Sequence, residues 1–252
     1  MTLLKRCFPL LPSFLCILLS GVHADELHWT YQGNHGIAHW GEFSNGVCTR
    51  GDQQSPVDVN MKHVQPVKSS TLELKASYGA PALSVSNNGH TIQANVIDGE
   101  TVLWKGDKYR LKQFHFHTPS EHLINHQSYP MELHMVHQDP TGRLLVLGIL
   151  IKEGKTNKTL ASLWDQLPIL AGKTVTLTAP AAPNLDMLIP RTSHHLFYKG
   201  SLTTPPCTEG VQWILFEQPI ELSKSQIQKF RQLFEDNHRP AQPINTREIE
   251  ED

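Results

Sequence analysis

The sequence predicts a mainly β chain of the α+β class, with a mostly antiparallel sheet and a few short helices. Three observations carry this. Between residues 70 and 150, short alternating or apolar runs are separated by the turn formers Asn87-Asn88-Gly89, Asp98-Gly99 and Gly106-Asp107, the rhythm of strands joined by tight connections. Leu144 to Ile151 is apolar on both faces and broken only by Gly148, which marks a central strand. Helical periodicity is confined to two short stretches near 160 and 227.

Taken in order, the chain begins with Lys5 and Arg6, a mostly apolar run from Cys7 to Leu19, and Ser20 to Ala24. Val22 and Ala24 suit the −3 and −1 positions of a signal-peptidase site, so residues 1–24 are expected to be a secretory signal and residues 25–252 a single domain. The apolar run is too short, and too interrupted by Pro9 and Pro12, to span a membrane. Residues 25–60 are rich in turn formers around Trp29, Tyr31 and Trp40, which predicts irregular structure anchored by aromatics. Thr159 to Leu167 suggests a short helix with Leu160, Leu163, Trp164 and Leu167 on one face. Ser223 and Gln226 form a capping-box pattern ahead of Ile227, Phe230, Leu233 and Phe234 at helical spacing. Arg239 to Pro243 ends that helix, and the acidic tail Glu248 to Asp252 is expected to fray.

Composition excludes some partners. The chain has 22 Lys+Arg against 24 Asp+Glu, a net charge of −2. Loss of Lys5 and Arg6 with the signal makes the remainder more acidic, so nothing recommends nucleic acid or an anionic membrane surface. Of four cysteines, Cys7 and Cys16 lie in the signal. The remaining pair, Cys48 and Cys207, points to one disulfide in an exported chain, against the alternative of two buried thiols.

The chemistry gathers at Gln113-Phe114-His115-Phe116-His117 and Glu132-Leu133-His134. In a strand, alternate side chains share a face, so Gln113, His115 and His117 point one way and the two phenylalanines the other. His134, on a second run that could pair beside the first, would complete a three-histidine set with no fourth protein ligand, the pattern of a catalytic zinc. Gln113 and Glu132 each precede a histidine by two positions on the same face, where they could accept the proton of its other ring nitrogen.

These residues stand among other motifs: Gln54-Ser55-Pro56-Val57, Asn87-Asn88-Gly89-His90, Ser120-Glu121-His122, Glu132 to His137, and Gly200 to Cys207. Together and in this order they closely resemble the α-class carbonic anhydrases, from about Trp29 to Arg247. The short Thr118-Pro119-Ser120 link is similar to the bacterial and plant branches rather than the animal one, and the chain as a whole resembles the bacterial exported type. The resemblance implies a central, twisted, ten-stranded, largely antiparallel sheet with short peripheral helices, and cis bonds before Pro56 and Pro206. It implies zinc held by His115, His117 and His134, and reversible hydration of carbon dioxide to bicarbonate by zinc-bound hydroxide, at a water pKa near 7 for which carbonic anhydrase is itself the reference example. Thr203 would orient the attacking oxygen and donate to Glu121. Val136, Val146, Leu202, Val211 and Trp213 would form the apolar wall for the substrate, with Gln93 and Thr204 on the wet side. His90 would shuttle the proton, and Cys48 and Cys207 match the bridge of secreted relatives. Sulfonamides and anions are expected as inhibitors, and a homodimer is possible from the habits of bacterial relatives. The implied location is the periplasm or, through a eukaryotic secretory path, outside the cell, where Asn157-Lys158-Thr159 would be a glycosylation sequon. The other histidines, His194 and His195 included, are left as surface or structural.

Two other readings remain. His115, His117 and Glu121 also fit the spacing of a cupin metal site, but Tyr109 and Ser128 stand where that motif wants glycines. A catalytically inactive relative acting as a binding protein would lack one or more zinc histidines, and all three are present here.

Overall fold

The computed structural model describes residues 28–67, 74–190 and 194–252; the expected signal at 1–24 lies outside them. The strands are β1 (Asp58–Val59), β2 (Gln65–Pro66), β3 (Leu74–Lys75), β4 (Leu83–Asn87), β5 (Ile92–Val96), β6 (Thr101–Trp104), β7 (Asp107–His117), β8 (Leu123–Ile124), β9 (Met131–Gln138), β10 (Leu144–Glu153), β11 (Thr174–Leu177), β12 (His195–Ser201), β13 (Glu209–Leu222) and β14 (Glu250–Glu251). The helices are α1 (Val47–Arg50), α2 (Ala161–Asp165) and α3 (Lys224–Arg231), joined by short 3-10 turns.

Ten strands run side by side in the order β11-β4-β5-β7-β9-β10-β13-β12-β14-β2, with β6 and β3 added beside β7, so the sheet has 12 strands. Within this sheet pairing is antiparallel except between β10 and β13 and between β14 and β2, and β1 and β8 form a separate parallel pair. The expected central strand, Leu144 to Ile151, is β10, flanked by β9 and β13.

Alternation along the middle strands sorts two faces. Phe114 and Phe116 of β7, Leu133 and Met135 of β9, Leu147 and Ile149 of β10, and Ile214 and Phe216 of β13 enter one large core. Each such side chain contributes roughly 1.5–3 kcal/mol by leaving water. The opposite residues, Val146 and Leu150 of β10 with Val211, Trp213 and Leu215 of β13, form a second cluster on the cleft side. Helices α2 and α3 cover the large core. Trp164 lies edge-on to Phe116 at 4.9 Å, Phe230 is 6.0 Å from the same ring, and Trp164 Nε1 donates to the Gln226 carbonyl at 2.9 Å. The reverse side of β7 is therefore braced by both helices. The Ser223–Gln226 capping box is present at the start of α3.

Residues 28–60 are mainly short helical turns and loops, with Trp29 and Tyr31 packed on the buried Trp40 beside a Cys48–Cys207 disulfide. The bonds before Pro56 and Pro206 are cis, as are those before Pro119 and Pro180. The acidic tail does not fray. Glu250 and Glu251 pair with β12 and β2, Ile249 packs into the cleft-side cluster, and Asp252 accepts both the backbone N–H and the ring Nδ1 of His195 at 2.8 Å. Charge alone could not signal this, because the edge of β12 supplies the backbone partners that hold the tail. Asn157 spends its side-chain Nδ2 on the Glu221 carbonyl at 3.1 Å. No helix among the described residues is long and apolar enough to cross a membrane.

Candidate active site

Strand β7 changes phase once. Its pairing with β9 skips a residue between Leu111 and Gln113. Tyr109 and Leu111 belong to the large core, as do Phe114 and Phe116, so the odd-numbered side chains cross to the cleft face at this bulge. Gln113, His115 and His117 all line the cleft in consequence. Register sets His115 directly opposite His134 on β9. The three ring centroids stand 4.6–5.3 Å apart, and one nitrogen from each lies within 4.8 Å of the others.

The other nitrogen of each imidazole is committed to an oxygen. His115 Nδ1 donates to Gln113 Oε1 at 2.8 Å, His117 Nδ1 to the Asn237 carbonyl at 2.7 Å, and His134 Nε2 to Glu132 Oε1 at 2.8 Å. An acceptor-only partner forces the proton onto that nitrogen and leaves the lone pair on the other. The converging set is thus Nε2, Nε2 and Nδ1. Burial, with the neighbouring imidazoles, holds His115 well below its ordinary range, and burial lowers His117 to about 4 and depresses His134 against the pull of Glu132. Neutral imidazoles are what a metal requires. His117 Nε2 is buried and has no hydrogen-bond partner. A buried polar atom left unpaired costs about 1–3 kcal/mol, and a metal ion removes that cost. The donor set fits zinc.

Glu132 is a hub. Its Oε2 accepts the N–H groups of Glu121 at 2.9 Å and His122 at 2.8 Å, while Oε1 takes both His134 and His122 Nδ1, the latter at 2.7 Å. Burial alone would raise this carboxyl, but His122 and His134 outweigh it and hold the group ionised. Gly148 faces His134 across the β9–β10 pair, and a Cβ there would come within 2.9 Å of Leu215 and 3.2 Å of Glu132 Oε1. His122 passes the network on through Tyr198 (2.6 Å) to Ser55 (2.9 Å), under the end of β12.

Thr203 sits two residues past β12, in a loop tied by the disulfide at Cys207 and by Gln54, whose Nε2 donates to the Cys207 carbonyl at 3.2 Å. Glu121 is fully buried and accepts the Arg239 N–H at 2.8 Å. Burial raises its carboxyl, and His134, the Thr203 hydroxyl and the Arg239 amide pull it back. Arg239 itself is buried, its guanidinium donating to the carbonyls of Ser55 (2.7 Å) and Cys48 (2.6 Å).

These groups surround a cavity of about 180 Å³. Val136, Val146, Leu202 and Trp213 supply apolar lining, and Asn88, Thr91, Gln93 and Thr204 supply polar lining. Val211 does not line it; its side chain packs in the cleft-side cluster with Val146 and Trp213. His90 lines the cavity and stacks on Trp29, with centroids 3.7 Å apart and 10° between planes. Burial, then the neighbouring His28, lowers it to about 4. Sequence reasoning missed Asn237, Arg239 and Tyr31. The first two meet His117 and Glu121 through backbone atoms, which carry no residue-type signal. Tyr31 stood out only as an aromatic anchor.

A sequence profile for eukaryotic-type carbonic anhydrase matches residues 35–252. A carbonic anhydrase of Neisseria gonorrhoeae is 38% identical over 250 residues, covering 95% of this chain and 96% of its own. The α-carbonic anhydrase of Thermovibrio ammonificans, solved in complex with the inhibitor sulfanilamide, is 41% identical with a TM-score of 0.83, covering 88% of this chain and 98% of its own. A hyperthermostable carbonic anhydrase from a hydrothermal vent chimney is 45% identical with a TM-score of 0.81, covering 89% and 99%. On profile, relatives and fold alike, the chain belongs to the eukaryotic-type, or α, carbonic anhydrase family.

Proposed function

We propose that the protein hydrates carbon dioxide reversibly to bicarbonate and a proton, using zinc held by His115 Nε2, His117 Nε2 and His134 Nδ1. The observation that carries this is the partnerless, buried His117 Nε2, beside two imidazoles whose other nitrogens are likewise fixed by oxygen acceptors. Zinc at such a site supplies a Lewis acid that makes water nucleophilic at neutral pH.

The protein does the rest by positioning. Gln113, Asn237 and Glu132 hold the three rings in the tautomers a metal needs. The Thr203 hydroxyl, donating to the buried Glu121, keeps its own lone pair toward the cleft and so accepts a hydrogen bond from the attacking oxygen. Val136, Val146, Leu202 and Trp213 offer carbon dioxide, which has no charge to grip, an apolar surface to rest on. His90 takes up the proton released in each turnover and hands it to solvent. A sulfonamide would compete in the same cleft, as sulfanilamide inhibits the Thermovibrio enzyme.

The chain is exported, with residues 1–24 as the signal and residues 25–252 as one domain; the Cys48–Cys207 disulfide supports an oxidising compartment. Stopped-flow carbon dioxide hydration, with and without a sulfonamide and after metal chelation, tests the activity. Zinc at one ion per chain with sulfonamide-sensitive hydration is the expected result. Stoichiometric iron, or zinc-loaded protein without hydration activity, would overturn the reading in favour of a cupin-like site or an inactive binding protein.

A further inference from the structure

The His90 imidazole has a second ring neighbour besides Trp29. His28 lies nearly parallel to it, with centroids 4.6 Å apart and 16° between planes. No ring contact joins His28 to Trp29 among the described residues, so the two flank opposite faces and His90 is the middle layer of a three-ring stack. The inner end is anchored, because Trp29 packs edge-on against Tyr31 at 5.4 Å and Trp40 at 5.1 Å. The outer end is held more lightly: the exposed His28 is attached through its carbonyl, which accepts His35 Nδ1 at 3.0 Å. The backbone of His90 is pinned separately, its N–H to Asn88 Oδ1 at 2.9 Å and its carbonyl by Asn237 Nδ2 at 3.0 Å.

Two consequences follow from elementary electrostatics. The stack fixes the plane of the His90 ring without using either of its nitrogens, so both remain open to proton exchange. Two parallel imidazoles this close repel when both are charged, so a charge on His28 disfavours a proton on His90. Burial, then the His28 charge, accounts for the lowering of His90. Trp29, Asn88 and Asn237, which also pack on His90, are uncharged, and Asp236 and His238 on the segment beside Asn237 pair with each other at 2.5 Å.

We propose that His28 is a positioning residue for the His90 ring: it closes the outer face of that ring against Trp29, and its charge sets how readily His90 takes up a proton. A charge on His28 opposes the uptake of a proton by His90 from the cleft. The proposal rests on the reading of His90 as the proton carrier given above.

The test is an NMR titration of the His90 side chain in the zinc-loaded protein, for wild type, His28→Phe and His28→Ala. His28→Phe keeps a ring on the face and removes the charge, so the His90 midpoint is expected to rise by roughly one pH unit. His28→Ala also uncovers the face and should raise it further. In weak buffer, His28→Phe should increase the kcat of hydration about threefold, since the acceptor becomes more basic, and leave kcat/KM unchanged. A His90 midpoint unmoved in both variants overturns the proposal. So does a kcat unchanged in His28→Phe when His90→Ala does lower it. If His90→Ala itself leaves kcat in weak buffer intact, the shuttle assignment fails instead, and the titration alone decides whether His28 sets the His90 midpoint.

Discussion

At the floor of the cleft, His115, His117 and His134 each give one ring nitrogen to an oxygen fixed by the fold, and each is backed by strands whose reverse side is packed core. At the rim, the ring of His90 is held by stacking alone; it makes no hydrogen bond among the described residues, and the residue is half-buried. The difference suits two tasks. A metal needs lone pairs aimed to within fractions of an ångström, and hydrogen-bonded rings on paired strands provide that. A proton carrier needs its nitrogens unoccupied, which hydrogen bonds to the ring would prevent and stacking does not.

The sharpest way to break the floor is His134→Ala. With only two imidazoles left, zinc content should fall to near zero and hydration with it; zinc analysis and stopped-flow rates read both, and a variant with near-normal values would refute the assigned floor.

A histidine on the other face of the same strand provides a control. His137 is fully buried, with Nε2 against the Tyr78 hydroxyl at 2.8 Å and Nδ1 toward the Leu145 carbonyl at 3.3 Å, and burial lowers it to about 4. It stays neutral when folded and gains a proton when unfolded. Stability is therefore full above the unfolded value of 6.5 and declines as pH falls toward about 4. The loss should be about 3 kcal/mol. Urea unfolding across that range should show a shallower decline in His137→Gln; an equal slope in both proteins would remove His137 from the account.

The rim can be loosened as a whole. Replacing Cys48 and Cys207 together by Ala frees the Thr203 loop from the N-terminal region, 159 residues away in sequence. A cost of about 2–4 kcal/mol is expected, measurable by denaturant unfolding, with zinc content kept.

Within the floor, Glu132→Ala and Gln113→Ala should weaken zinc affinity by roughly 10–100-fold. Glu132 should be the worse of the two, since it also holds the backbone before the Thr203 partner. Competition against a chelator would rank them, and equal effects would mean the hub adds nothing.

A smaller effect is expected of His90→Ala. It should lower kcat in weak buffer about tenfold, leave kcat/KM nearly intact, and respond to added imidazole. An undiminished kcat would pass the proton to another group.

Sequence by itself settled what local chemistry can settle. Alternation placed Phe114 and Phe116 opposite His115 and His117, apolar runs and turn formers marked the strands, and the capping box opened α3, because these depend only on neighbours a few residues apart. The family motifs extended this to the likeness of the whole domain. Tertiary structure decided the rest. The bulge between Leu111 and Gln113 could be seen as a shift of apolar phase only once pairing with β9 was known. The Asn237 carbonyl on His117 comes from 120 residues away and from a backbone atom, which every residue type possesses. The acidic tail became a strand because β12 and β2 offered it partners. Val211 left the cavity wall, and His28 joined His90, through contacts between segments that share no local pattern. Periodicity reports which way a side chain points; only the folded chain determines what it meets there.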